Sequence, residues 1–118
     1  MSERTDGDYL LHITEAIFRT ISYTEGMTYE GFIQDTKTHD AVIRNIEIIG
    51  EAVKNLSDDV KISYDEIPWR NMAGMRDKLI HHYFGVNFNI VWNVVQNEFP
   101  TISEQVKKMT QEIIKYGG

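Results

Sequence analysis

One stretch of the chain, residues 76–83, combines the side chains best suited to acid–base and phosphate chemistry. It contains Arg76, His81 and Tyr83 within eight residues. A histidine, whose unperturbed pKa is about 6.5, can take the proton from a ribose 2′-hydroxyl. An arginine can donate several hydrogen bonds to the adjacent phosphate and stabilise the charge that develops on it. Together they could support metal-free cleavage of RNA that leaves a 2′,3′-cyclic phosphate.

The spacing of these residues predicts that they share a helix but not one face of it. Arg76 is seven residues after Trp69 and seven before Tyr83, so the three lie close to one line along an apolar face. His81 is five residues after Arg76, which places it about 140° away around an ideal helix. The two side chains could converge through a distortion before Gly85. Alternatively, the site could lie in a cleft between two copies of the chain.

Less specific interpretations of the same residues are available. An arginine in a helical bundle often pairs with a carboxylate across an interface. Consecutive histidines near a glycine are favourable at a helix C-terminus, where cations complement the helix dipole. Glu47 and Glu51, four residues apart on a polar helix face, are interpreted as solvated charges.

Several kinds of site are excluded by what the sequence lacks. There is no cysteine, so disulfides, thiolate metal sites and cysteine nucleophiles are absent. None of the four histidines follows a glutamate by three residues, as the di-metal sites of helical bundles require. We therefore predict no metal and no cofactor.

The overall composition is that of an ordinary globular protein with an acidic balance. The formal net charge of −6 argues against a generic protein that coats nucleic acid, because such proteins are usually basic. The segment between Trp69 and Tyr83 is nevertheless basic, because it contains Arg70, Arg76 and Lys78 but only one acidic residue, Asp77.

The sequence shows no sign of a membrane span or of export. No apolar stretch approaches the roughly 20 residues that span a bilayer, and the first eight residues do not resemble a signal peptide. We expect a cytoplasmic protein.

Apolar periodicity predicts an all-α fold, an antiparallel bundle of four to five helices with short connections. Helices are predicted over about residues 8–25, 36–56, 68–84, 89–99 and 101–115, and the last two could be one helix kinked at Pro100. A short polar and aromatic connector is predicted over residues 28–35. The chain is predicted to be one domain over residues 1–118, with frayed ends at 1–7 and 116–118. The predicted core comprises Leu10, Ile13, Ile17, Ile21, Val42, Ile46, Ile49, Val53, Leu56, Trp69, Met72, Leu79, Ile80, Tyr83, Val91, Val94, Val95, Phe99, Ile102, Val106, Met109 and Ile113.

The sequence resembles a known family of proteins. The pattern Arg76-x-x-x-x-His81-x-Tyr83 matches the R-x-x-x-x-H-x-Y motif of HepT-like HEPN domain proteins. The resemblance covers most of the chain, from about residue 8 to residue 114. The further matching stretches are residues 23–27, 40–52, 67–70, 73–76, 83–86 and 90–92.

The resemblance implies a HEPN bundle that forms a homodimer, with the motifs at the shared cleft. It implies a metal-independent endoribonuclease that acts as the toxin of a toxin–antitoxin pair. The implied partner is an MntA-like minimal nucleotidyltransferase, which transfers AMP to the motif tyrosine. The alternative is a non-catalytic adaptor or nucleotide-binding partner of such a nucleotidyltransferase.

Carried over by position, the resemblance gives each motif residue a role. Arg76 binds the phosphate, His81 is the general acid–base, and Tyr83 is the site of AMP modification. Asp77 is treated as a possible orienting group for its neighbours. His82 occupies the variable position of the motif and receives no catalytic role.

Overall fold

The computed structural model describes residues 4–81 and 87–116, with their side chains except those of residues 78–81, 114 and 116. All regular elements in this part of the chain are helices, which confirms the all-α prediction. Their bounds are α1 Asp6–Thr24, α2 Tyr29–Gln34, α3 Thr36–Asn55, α4 Asp58–Ser63, α5 Trp69–His81, α6 Phe88–Asn93 and α7 Phe99–Tyr116, with a π-helical turn, Val94–Glu98, between the last two.

The core is organised around α3, which packs against α1 on one side and α5 on the other, while α7 packs against α1. The five core residues predicted for the helix over residues 36–56 are all buried, which confirms this α3 seam: Val42, Ile46, Ile49, Val53 and Leu56. Ile21 and Ile113, also predicted in the core, are only half-buried at its edge. Leu79, Ile80 and Tyr83 of the predicted core lie outside the described side chains.

Two short helices, α2 and α4, were not predicted. The prediction of a connector over residues 28–35 was wrong, because the Thr28 hydroxyl accepts a hydrogen bond from the Gly31 amide at 3.0 Å and begins α2 there. Ser57 begins α4 in the same way by accepting from the Val60 amide at 3.3 Å. Six residues are too few for a helical period to be visible, so only the capping residues could have revealed these helices.

The ends of the long helices follow ordinary capping chemistry. Thr5 and Asp8 form reciprocal hydrogen bonds at the start of α1, with Asp8 accepting from the Thr5 amide at 2.9 Å. Gly26, directly after the predicted helix over residues 8–25, has a φ of 78°, which a glycine adopts without strain. The predicted helix over 68–84 is observed as α5, and residues 82–84 of that prediction lie outside the described residues.

The C-terminal helices form one continuous path rather than two separate elements. The π-helical turn Val94–Glu98 joins α6 to α7, and Pro100 lies in the first turn of α7. Proline lacks an amide hydrogen and its ring clashes with the carbonyl four residues earlier, so a regular α-helix would be broken there. The wider π turn directly before Pro100 accommodates the ring while Val94 and Val95 stay buried. None of the described helices is long and apolar enough to cross a membrane.

Candidate active site

The helix that carries Arg76 and His81, α5, is anchored at its N-terminal end. Trp69 and Met72 are buried in the core, and the Trp69 indole donates a hydrogen bond to the Tyr64 carbonyl at 3.1 Å. Pro68 precedes the helix, where its missing amide hydrogen costs nothing. The rest of α5 is therefore held in a fixed register against α3.

Arg76 packs directly against Gly50 where α5 contacts α3. A Cβ atom built at Gly50 would lie 2.1 Å from the Arg76 Cβ and 2.7 Å from its Cγ. Only a residue without a side chain fits at this position. Gly50 was not predicted as a site residue. The signal was present, because an isolated glycine inside a strongly periodic helix often marks a close contact.

The Arg76 guanidinium lies between carboxylates from two helices. Its Nη2 is 3.5 Å from Glu51 Oε2 on α3, and its Nη1 is 3.3 Å from Asp77 Oδ1 on α5. Lys54, one turn after Glu51, donates from Nζ to the same Asp77 oxygen at 2.6 Å. We call Glu51, Lys54, Arg76 and Asp77 the arginine cluster.

Asp77 is the charged centre of the arginine cluster. The hydrogen bond from Lys54, followed by that from Arg76, holds the pKa of the Asp77 carboxyl below its ordinary value. The carboxylate therefore remains ionised at neutral pH and keeps both cations beside it. Because its side chain is 43% exposed, this arrangement positions the cations more than it stabilises the fold.

Arg76 keeps hydrogen-bonding capacity that the arginine cluster does not use. Its side chain is 28% exposed, yet its Nε atom is buried and has no acceptor among the described residues. The contact with Glu51 is long for a charge-assisted hydrogen bond, and Glu51 is 61% exposed. The pairing with carboxylates, which was the less specific interpretation of Arg76, is therefore observed, although the contact with Glu51 is long and lies at an exposed side chain. Glu51, interpreted as a solvated charge, is exposed and also contacts Arg76.

The remaining motif residues are only partly described. His81 is the last residue of α5, and its side chain lies outside the described part, as do all of His82 and Tyr83. The backbone is α-helical from Trp69 to His81, so the helix is not interrupted between Arg76 and His81. Their Cα atoms are therefore about 140° apart around the helix.

Two histidines outside α5, His12 and His39, have described side chains. His39 packs edge-on against Phe32 and lies 4.8 Å, between ring centroids, from Phe88. His12 lines a surface depression that Glu51 borders on its other side. Among the described residues, no group of three or more histidines and carboxylates could hold a metal ion.

Comparison with known proteins places the chain among ribonucleases of one family. The family model described as "Ribonuclease HepT-like" matches residues 13–109. A Thermococcus cleftensis protein named "Probable ribonuclease HepT" is 47% identical over 107 residues, which cover 91% of this chain and 97% of that protein. A Methanocaldococcus jannaschii protein, provisionally named as an RNase, is 45% identical over 105 residues, covering 89% of this chain and 87% of its own. No solved structure gives a significant match.

Proposed function

Since the chain belongs to the ribonuclease HepT-like family, we propose that it is a metal-independent endoribonuclease that cuts RNA by attack of a 2′-hydroxyl. The observation that carries this proposal is the burial of Arg76 together with the weakness of its contacts to nearby carboxylates. This arginine is half-buried at the α3–α5 crossing, yet its nearest anions are exposed carboxylates and its Nε has no described acceptor. A phosphate group that takes the place of Glu51 would accept a hydrogen bond from Nη2, which now makes only a 3.5 Å contact with an exposed carboxylate.

The reaction divides between two side chains. His81 takes the proton from the 2′-hydroxyl, and the 2′-oxygen forms a bond to phosphorus. Arg76 stabilises the negative charge on the phosphate oxygens as this bond forms. The bond from phosphorus to the 5′-oxygen then breaks, and that oxygen takes up a proton. The products are a 2′,3′-cyclic phosphate and a 5′-hydroxyl. Asp77 takes no part in these steps but keeps Arg76 in position through its ionised carboxylate.

The proposed site is shared by two copies of the chain. On one regular helix, Arg76 and His81 project from positions about 140° apart, so they do not converge by themselves. If two α5 helices meet across a two-fold axis, Arg76 of one copy can face His81 of the other. A homodimer therefore supplies the geometry that a single helix lacks.

The metal independence of the reaction can be tested directly. We expect the purified protein to cut single-stranded RNA equally well in excess EDTA and in magnesium, because the proposed catalytic groups are all side chains. Cleavage is followed by the loss of full-length labelled RNA. Activity that disappears in EDTA and returns with added magnesium would contradict the proposed mechanism. Stable association with a nucleotidyltransferase without RNA cleavage in any buffer would instead support the non-catalytic adaptor, which the carboxylate pairing of Arg76 also fits.

We further propose that the protein is the toxin of a toxin–antitoxin pair and that an MntA-like nucleotidyltransferase silences it by adding AMP to Tyr83. Each AMP would bring a bulky anion to the motif that carries Arg76 and His81, where it would repel RNA phosphates. The support is the resemblance of Arg76-x-x-x-x-His81-x-Tyr83 to the R-x-x-x-x-H-x-Y motif, in which Tyr83 takes the position of the tyrosine.

Tyr83→Phe separates modification from catalysis. We expect this variant to cut RNA at close to the wild-type rate but to gain no AMP when incubated with the nucleotidyltransferase and ATP. Intact-protein mass spectrometry reports the added AMP, and the RNA assay reports the activity. Continued AMP addition to Tyr83→Phe would exclude this tyrosine as the site.

A further inference from the structure

A groove with three cationic side chains in its lining lies beside the first turns of α5, on the Lys54 side of the arginine cluster. It has a volume of about 530 Å³. Val53, Ile67 and Trp69 contribute to its apolar lining, and Lys54, Lys61 and Arg70 contribute positive charge. We propose that this groove binds the sugar–phosphate backbone of the RNA next to the scissile bond. The proposal rests on the ribonuclease function proposed above and adds a binding surface to it.

The charge of the groove is opposite to that of the chain as a whole. Three cationic side chains line it against one carboxylate, Asp65, although the formal net charge of the protein is −6. Lys54 is paired with Asp77, but Lys61 and Arg70 form no ion pair with any other described residue. These two cations remain available for an external anion. A local basic groove in an acidic protein confines a polyanion to one path.

The groove adjoins the arginine cluster, because the two share Lys54. Lys54 lines the groove and also donates to Asp77 in the arginine cluster. Arg70 and Asp77 are seven residues apart, so they lie on one side of α5 and about 10 Å apart along its axis. An RNA strand whose scissile phosphate contacts Arg76 could therefore place neighbouring phosphates beside Lys54 and Arg70.

The lining of the groove indicates that it contacts the backbone rather than the bases. Trp69 is 7% exposed, and its indole nitrogen already donates to the Tyr64 carbonyl. It therefore offers neither a free ring face for stacking nor a free donor for reading a base. Contacts through Lys61 and Arg70 would be electrostatic, independent of sequence and sensitive to salt.

The test separates binding from cleavage. Binding of a fluorescent 2′-O-methyl RNA, which lacks the attacking hydroxyl, is measured by anisotropy over a range of salt concentrations. The double variant Lys61→Gln, Arg70→Gln removes two phosphate contacts, so the slope of log K against log salt should become shallower by about 1.4. The matched control is Lys107→Gln, Lys108→Gln, which removes two exposed charges from α7, outside the groove. This control should leave the slope unchanged.

Cleavage assays then distinguish failure of the groove from failure of the ribonuclease function. The groove variant should have a raised KM for a long RNA but should cut a dinucleotide, which is too short to reach Arg70, as fast as wild type. If wild type cuts RNA and the groove variant keeps its salt slope and KM, the groove proposal is overturned while the proposed function stands. Loss of nucleotidyltransferase binding with unchanged RNA binding would also overturn it, by assigning the groove to a protein partner. If wild type cuts no RNA, the proposed function fails first and the groove proposal fails with it.

Discussion

Arg76→Gln should reduce the rate of RNA cleavage by about 10²–10³-fold, the usual cost of losing one preorganised donor to a charged transition state. His81→Ala should reduce it by about 10²–10⁴-fold through loss of general acid–base catalysis. The rates are measured under single-turnover conditions in EDTA. Because the Arg76 Nε already lacks a described acceptor, glutamine at this position should not unfold the protein. Thermal unfolding of each variant checks this.

Glu51→Gln is the matched control that tests whether Arg76 serves only to pair with Glu51 in the fold. If Arg76 served mainly to pair with Glu51, removing the carboxylate should lower stability and activity as much as removing Arg76. If Glu51 only occupies the position of the substrate phosphate, Glu51→Gln should leave cleavage unchanged or faster. Equal losses in Arg76→Gln and Glu51→Gln would therefore remove the phosphate-binding role from Arg76.

The same two catalytic variants test whether two chains share one site. A mixed dimer of Arg76→Gln and His81→Ala chains contains one site with both side chains intact, provided that each site draws them from different copies. Mixing the two inactive proteins under exchange conditions should then restore part of the wild-type activity. No recovery in a verified mixed dimer would place the whole site within one chain.

Gly50→Ala should also have a large effect. It should lower the stability of the fold and displace Arg76. The added Cβ would lie 2.1 Å from the Arg76 Cβ, and this part of the side chain moves only if α5 moves. Overpacking of this kind usually costs about 1–3 kcal/mol of unfolding free energy. Urea denaturation measures that loss. The folded protein should also cleave RNA more slowly, because its Arg76 is displaced.

Gly74→Ala is the control for Gly50→Ala. Gly74 also lies inside a helix, but a Cβ there would meet nothing within 4 Å. This substitution should therefore raise stability by about 0.5–1 kcal/mol, because alanine loses less backbone entropy than glycine on folding. Equal stabilities for Gly50→Ala and Gly74→Ala would show that the close α3–α5 contact does not constrain Arg76.

The sequence alone predicted those features that depend on local pattern. The α3 seam, the end of α1 at Gly26 and the helix that carries Arg76 all follow from periodicity and terminator residues. The short helices α2 and α4 escaped prediction because six residues show no period, although Thr28 and Ser57 are ordinary capping residues. The sequence left open whether residues 89–115 form two helices or one helix kinked at Pro100. The π-helical turn Val94–Glu98 joins them into one continuous path.

The arginine cluster could not be predicted from spacing. Arg76 was expected on an apolar face, but its contact with Gly50 and Glu51 depends on how α3 and α5 cross. Lys54 and Asp77 are 23 residues apart in sequence, and no local pattern links them. Such contacts are fixed by tertiary packing. The motif supplied Arg76, His81 and Tyr83, and the structure added the neighbours that hold Arg76 in place.

The chemical end groups of the cut RNA test the central proposal most directly. Mass spectrometry of fragments produced in EDTA by wild type and by His81→Ala compares the two reactions. The proposal predicts a 2′,3′-cyclic phosphate on the upstream fragment and a 5′-hydroxyl on the downstream fragment from wild type, and far less of both products from His81→Ala over the same time. A 3′-hydroxyl paired with a 5′-phosphate would show that water, not the ribose 2′-oxygen, attacks the phosphorus and would contradict the mechanism.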